Sequence, residues 1–141
     1  MPTELLVTAV HQGGMRFAAD TGEHSVVLDY PFPPGHAAEG PTPLQMLLSS
    51  LAVCSGSTLA LVLGKLQQPF SGLEVRARGL RSDTHPTVLT EISLEFVLRG
   101  RSIDSEVVQQ ALTTAEERLC PVWAMLKPGT CITASFELLE D

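Results

Sequence analysis

Aromatic side chains make up only 5% of this 141-residue chain, with one tryptophan and one tyrosine. That scarcity leaves no series of stacking platforms for a single nucleic-acid strand, and a formal net charge of −7 disfavours polyanions and anionic membrane surfaces as partners. Cysteine is equally sparse. Cys54, Cys120 and Cys131 are too few and too far apart for a disulfide scaffold, and an odd count leaves one unpaired. His11, His24, His36 and His85 are scattered through expected turns and strand ends, and no Cys or His pair has zinc spacing, so no metal is expected. There is no glycine-rich phosphate loop, and Gly13 with Gly14 reads as a hairpin turn. Residues 1–10 contain Glu4 and no basic start ahead of an apolar core, so no signal peptide is expected and the cytoplasm is the expected compartment.

The most informative absence is that of charge between residues 44 and 64. Thr42, Pro43 and Gln45 just before that run have the spacing of a capping box with proline in the first turn, so a helix starts there. Continued to about Leu66 it spans roughly 36 Å at 1.5 Å per residue, and its apolar character on nearly every side requires protein or lipid around it. Length alone permits a membrane span. Against that stand Gln45, four serines, Thr58, Gly56 and Gly64 within the run, flanks with no aromatic belt, and scarce basic residues. One domain over residues 1–141 is expected, and a domain of this size cannot encircle so long an apolar helix by itself. A tightly packed homodimer supplies the missing walls.

The remaining pattern reads as an α+β domain with segregated strands. Residues 5–10, 15–19 and 25–30 form an antiparallel meander, and five prolines within residues 31–43 mark a loop leading into the long helix. Leu73, Val75 and Ala77 alternate with charged residues, as do Ile92, Leu94, Phe96 and Leu98 with mostly polar ones, giving two longer strands. Asp104 caps a second helix whose stripe runs from Val107 to Leu119, and residues 130–138 form a closing strand.

On the long helix Ser50, Cys54, Ser57 and Thr58 share one face. Taken alone, Cys54 is as readily a small buried hydrophobe as a reactive group. Cys120 stands where the second helix stops, directly before Pro121 and a new helical turn, so its thiol caps a helix whose N–H groups favour thiolate. Cys131, in a strand, reads as a structural, buried cysteine.

The stretch from Gly40, Pro41, Thr42, Pro43 and Leu44 to Leu48, then Cys54 eleven residues after Pro43, and later Cys120, Pro121 and Val122, resembles the two signatures of the OsmC and Ohr family. The resemblance extends to Arg16 and Phe17, Asp29, His85 and Pro86, and Ile103 with Asp104. It implies antiparallel sheets wrapped around a long central helix, an intertwined homodimer, and a thiol peroxidase that reduces organic hydroperoxides without a cofactor. In that reading Cys54 is peroxidatic, Cys120 condenses with its sulfenic acid, an external dithiol restores both, and Arg16 is the cation that activates Cys54. Ohr proteins place a glutamate directly after the helix-start proline, where this chain has Leu44. Other OsmC-like branches place it one residue later, where this chain has Gln45. The chain therefore sides with the OsmC-like branch. The alternative is a non-catalytic OsmC-like dimer that binds a small hydrophobic molecule or lipid.

Overall fold

The computed structural model describes residues 3–141 and contains two compact units, the first ending at Leu47 and the second running Leu48–Asp141. In the first unit β1 (Thr8–His11), β2 (Phe17–Asp20) and β3 (Ser25–Leu28) form the expected antiparallel meander. Gly13 and Gly14 both adopt positive φ, 106° and 57°, which makes the β1–β2 turn a glycine site. The strands are shorter than the hydrophobic pattern suggests. Residues 5–7 are exposed and outside the ladder, and β3 stops before Asp29 because the Asp29 N–H turns instead to the Pro41 carbonyl, 3.1 Å away.

The loop that follows is tied down at Gly40. A Cβ there would lie 2.1 Å from the Val27 carbonyl oxygen, a distance no side chain tolerates. Gly40→Ala is therefore expected to destabilise this unit by about 3 kcal/mol, the upper end of overpacking costs, because a strand carbonyl cannot swing away as a side chain can. Urea denaturation followed by circular dichroism would measure it.

Helix α1 (Pro43–Lys65) begins with the reciprocal cap read from the sequence. The Thr42 N–H donates to Gln45 Oε1 at 2.9 Å and the Gln45 N–H donates to Thr42 Oγ1 at 3.2 Å. By length and composition α1 is long and apolar enough to cross a membrane. In the second unit, however, one of its faces is covered by protein: Leu51, Ser55, Gly56, Leu59 and Leu63 are buried, and a Cβ at Gly56 would lie 2.9 Å from the Val75 side chain.

That sheet has the order β4 (Gly72–Arg81), β5 (Leu89–Arg99), β6 (Cys131–Leu139). Ile92, Leu94, Phe96 and Leu98 of β5 are buried, as the alternation predicts. β4 and β5 are antiparallel, but β6 runs parallel to β5, with Glu91 opposite Cys131 and Arg99 opposite Leu139. Wholly antiparallel sheets were expected, and this strand departs from them. The physical reason is the connection: helices between β5 and β6 carry the chain back across the sheet, which only a long crossover can do. Alternation of side chains is the same in both pairing modes, so the sequence pattern carries no direction. Cys131 also differs from expectation, being exposed where a buried residue was predicted. It is the first residue of an edge strand, and its register partner Glu91 is exposed too.

Candidate functional site

Cys120 owes its position to a local break in helix geometry. α2 (Ser105–Thr114) is capped by Asp104, whose Oδ1 accepts from the Glu106 N–H at 2.9 Å, and it buries Val108, Ala111 and Leu112. The sequence predicts one helix to Leu119. Instead α2 widens into a single π turn (Ala115–Leu119), closed by the Cys120 N–H donating to the Ala115 carbonyl five residues back at 2.9 Å. Pro121 bars the residue before it from helical backbone, and Cys120 is accordingly extended, with φ −83° and ψ 105°. α3 (Pro121–Leu126) then starts afresh, with Trp123 fully buried.

This break sets Cys120 Sγ 3.2 Å from Cys54 Sγ on α1, with the Cys120 thiol donating. Sixty-six residues separate them in sequence, and both are free thiols. Their environments differ. Cys54 is half-buried, while Cys120 is 1% exposed. Burial pushes the Cys120 thiol up to about 11, against the N–H groups of Trp123 and Val122, which favour its thiolate. The sequence reading had the helix start activating Cys120; desolvation outweighs it. Cys120 is thus a thiol that keeps its proton, hydrogen-bonded to a sulfur that accepts.

Arg16, the other residue singled out in the sequence, belongs to the first unit. Its guanidinium pairs with Glu39 and its Nε donates to Gln12 Oε1 at 2.9 Å. Glu39 escaped the sequence reading, although it is the sole acidic side chain between Tyr30 and Leu44. Beneath that pair lies Asp29, buried, accepting from the Tyr30 N–H at 2.8 Å, His36 Nε2 at 2.9 Å and the Glu39 N–H at 3.1 Å. The His36 hydrogen bond outweighs burial and holds the Asp29 carboxyl below its ordinary value. The same unit contains an apolar cavity of about 400 Å³ lined by Ala9, Met15, Phe17, Ala19, Leu28, Tyr30 and Pro43.

The family model for OsmC-like proteins matches residues 35–135, a span that holds both thiols. The chain belongs to the OsmC-like family. It is 27% identical over 128 residues to protein YhfA of Escherichia coli K12, covering 89% of this chain and 92% of that one. Among solved structures, an OsmC-like protein from Mycoplasma pneumoniae superposes with a TM-score of 0.85 at 24% identity, over 99% of each chain. The organic hydroperoxide resistance protein OhrB of Bacillus subtilis superposes with 0.66 at 19% identity, over 96% of this chain and 98% of its own. At these identities the structural likeness establishes an OsmC-like fold, and the chemistry has to be argued from the site itself.

Proposed function

We propose that this OsmC-like protein is a thiol peroxidase that reduces organic hydroperoxides through Cys54 and Cys120. The observation that carries the reading is the 3.2 Å approach of two free thiols from distant parts of the chain, one half-buried and one buried with its proton. Disulfide bonding needs a sulfur separation of about 2.05 Å, so a shift of roughly 1.2 Å closes the pair.

In the first step the Cys54 thiolate attacks the terminal peroxide oxygen. The O–O bond breaks, sulfur takes one oxygen to become a sulfenic acid, and the alkoxide leaves with a proton as alcohol. In the second, Cys120 sulfur attacks Cys54 sulfur, the S–OH bond breaks, and the thiol proton departs with hydroxide as water. Two of the causes that raise the Cys120 pKa are its hydrogen bond to Cys54 and the Cys54 charge. Oxidation of Cys54 removes that charge, while the N–H groups at the start of α3 remain. Cys120 therefore becomes easier to deprotonate when it is needed. An external dithiol reduces the disulfide by exchange. By the family resemblance Arg16 is the cation that favours the Cys54 thiolate, and the reduced pair suits a compartment such as the cytoplasm.

Intact mass after brief treatment with a slight excess of cumene hydroperoxide tests the cycle. The expected product is two hydrogen atoms lighter per chain and returns to the starting mass with dithiothreitol; a chain that stays reduced, or that gains oxygen at all three cysteines, would overturn it. The apolar cavity of about 400 Å³ in the first unit favours a second reading, a binder of small hydrophobic molecules, since its volume falls in the usual ligand range. Under that reading fatty-acid binding persists in Cys54→Ser and no peroxide is consumed by wild type.

A further inference from the structure

We propose that Trp123 is a catalytic hydrogen-bond donor in the closing half of the peroxidase cycle, its indole N–H holding the oxygen that leaves Cys54 as the disulfide forms. This rests on the peroxidase reading above.

Trp123 is the single tryptophan of the chain and is 1% exposed. Its Nε1 is the one buried side-chain nitrogen or oxygen among the described residues that has no hydrogen-bond partner. An indole N–H can only donate, and a tryptophan inside a protein ordinarily finds an acceptor. Without one it loses its hydration and gains nothing, whereas phenylalanine would fill much of the same space at no such cost. Other buried polar side chains obey the rule: Ser55 donates to the Ala52 carbonyl at 3.2 Å, and the Asp29 carboxylate accepts from three donors. A donor kept idle in the core points to another state of the molecule, in which an acceptor is present.

The place of Trp123 in the chain indicates which state. Cys120 is the N-cap of α3 and Trp123 is the third helical residue, the two positions whose side chains meet in a capping box. The Trp123 backbone N–H already acts on the Cys120 sulfur, and Cys54 Sγ lies 3.2 Å from that sulfur. In the reduced pair both sulfurs are weak acceptors, and Cys54 Sγ already accepts from the Cys120 thiol. Peroxide changes this by putting an oxygen on Cys54, a far stronger acceptor, beside the buried Cys120. When Cys120 sulfur then bonds to Cys54 sulfur, the S–O bond breaks and its electron pair goes to the oxygen. That oxygen takes the Cys120 proton and departs as water, while the indole keeps its own proton throughout. Negative charge grows on the oxygen as the bond stretches, so a donor directed at it contributes more in the transition state than in the sulfenic acid.

The test is a single turnover of the reduced full chain with one equivalent of cumene hydroperoxide, following peroxide loss and intact mass in time. Wild type is compared with Trp123→Phe and with protein carrying β-benzothienylalanine at its single tryptophan position, where sulfur replaces the N–H at nearly unchanged size. Both altered proteins are expected to consume peroxide at the wild-type rate and to form the disulfide about tenfold more slowly, equivalent to about 1.4 kcal/mol of barrier. Dimedone added with the peroxide is then expected to label Cys54 in both and to leave wild type unlabelled. In Cys120→Ser, whose sulfenic acid persists, all indole emission comes from Trp123, and it is expected to move to longer wavelength on oxidation as the N–H gains an acceptor. Disulfide formation at the wild-type rate in the benzothienyl protein would overturn the proposal, as would an emission maximum that stays in place. Equal slowing of both steps would make Trp123 a packing residue and overturn it too. Failure of wild type to form the Cys54–Cys120 disulfide would instead overturn the peroxidase reading, and the role of Trp123 with it. Should Trp123→Phe fold poorly because of the space it leaves, the benzothienyl protein decides.

Discussion

Cys54→Ser is expected to abolish peroxide consumption, whereas Cys120→Ser is expected to consume one equivalent per chain and then stop as a sulfenic acid. The two variants separate because, in the proposed cycle, only Cys54 touches peroxide and Cys120 acts on the product of that encounter. A sulfenic-acid trap such as dimedone should add to Cys120→Ser and not to wild type, where the disulfide forms first. Cys131→Ser should turn over normally, since Cys131 is exposed on the edge strand and is not part of the thiol pair. In that background iodoacetamide at pH 7 is expected to modify Cys54 and spare Cys120. A thiol with a pKa of about 11 is about one ten-thousandth ionised at pH 7. Stability follows with a definite sign. The folded chain holds the Cys120 proton to higher pH than an unfolded chain near the ordinary 9.0, so stability falls as pH rises from about 9 to about 11. Cys120→Ser removes that fall. Retained turnover in Cys120→Ser, or alkylation of Cys120 ahead of Cys54, would reverse the assignment of the two thiols.

The parts of this molecule legible in its sequence are those decided by local chemistry. The Thr42–Gln45 cap, the span of α1, the Asp104 cap of α2 and the restart of helix at Pro121 each depend on residues within one or two turns, and each is found where the pattern places it. The resemblance that led to Cys54 and Cys120 rests on those same segments. What the sequence hides is non-local. The parallel course of β6 depends on how a crossover is routed, and Glu39 is meaningful only once Asp29 has drawn its loop back toward β2 and Arg16. The π turn is hidden for another reason. The stripe Val108, Ala111, Leu112 and Ala115 fits a continuing α-helix, and only the demands of Pro121 on Cys120 and the 2.9 Å bond to Ala115 reveal the extra residue. Burial of Cys120 likewise could not be weighed against its helix start until the fold was known.

Leu61→Asp is expected to convert a dimer into a monomer that is poorly soluble or unfolded at micromolar concentration. In the second unit α1 has two faces. The buried one carries Leu51, Leu59 and Leu63, and on the opposite side Ser50, Val53, Ser57, Leu61 and Gly64 recur at helical spacing on the exposed face. Val53 is 66% and Leu61 57% exposed, and no charge interrupts the face from residue 44 to 64. A face so free of charge is costly in water, and its serines and Gly64 are small enough to admit a second helix closely. We propose a second copy of α1 as the occupant, because a twofold contact is self-complementary and needs no further protein. The same symmetry doubles the effect of any substitution. Losing the burial of one leucine costs about 2 kcal/mol, two copies lose about 4, and dissociation strengthens about a thousandfold before the cost of an uncompensated carboxylate is counted. Light scattering should return close to twice the 15.1 kDa chain mass for wild type and a concentration-dependent loss of that species for Leu61→Asp. Val53→Ser, which removes apolar area without adding charge, should weaken the dimer less and keep the chain folded. A wild-type chain that is a stable folded monomer at micromolar concentration, or that is soluble only in detergent, would exclude this arrangement and leave the exposed face of α1 to a different partner or to lipid.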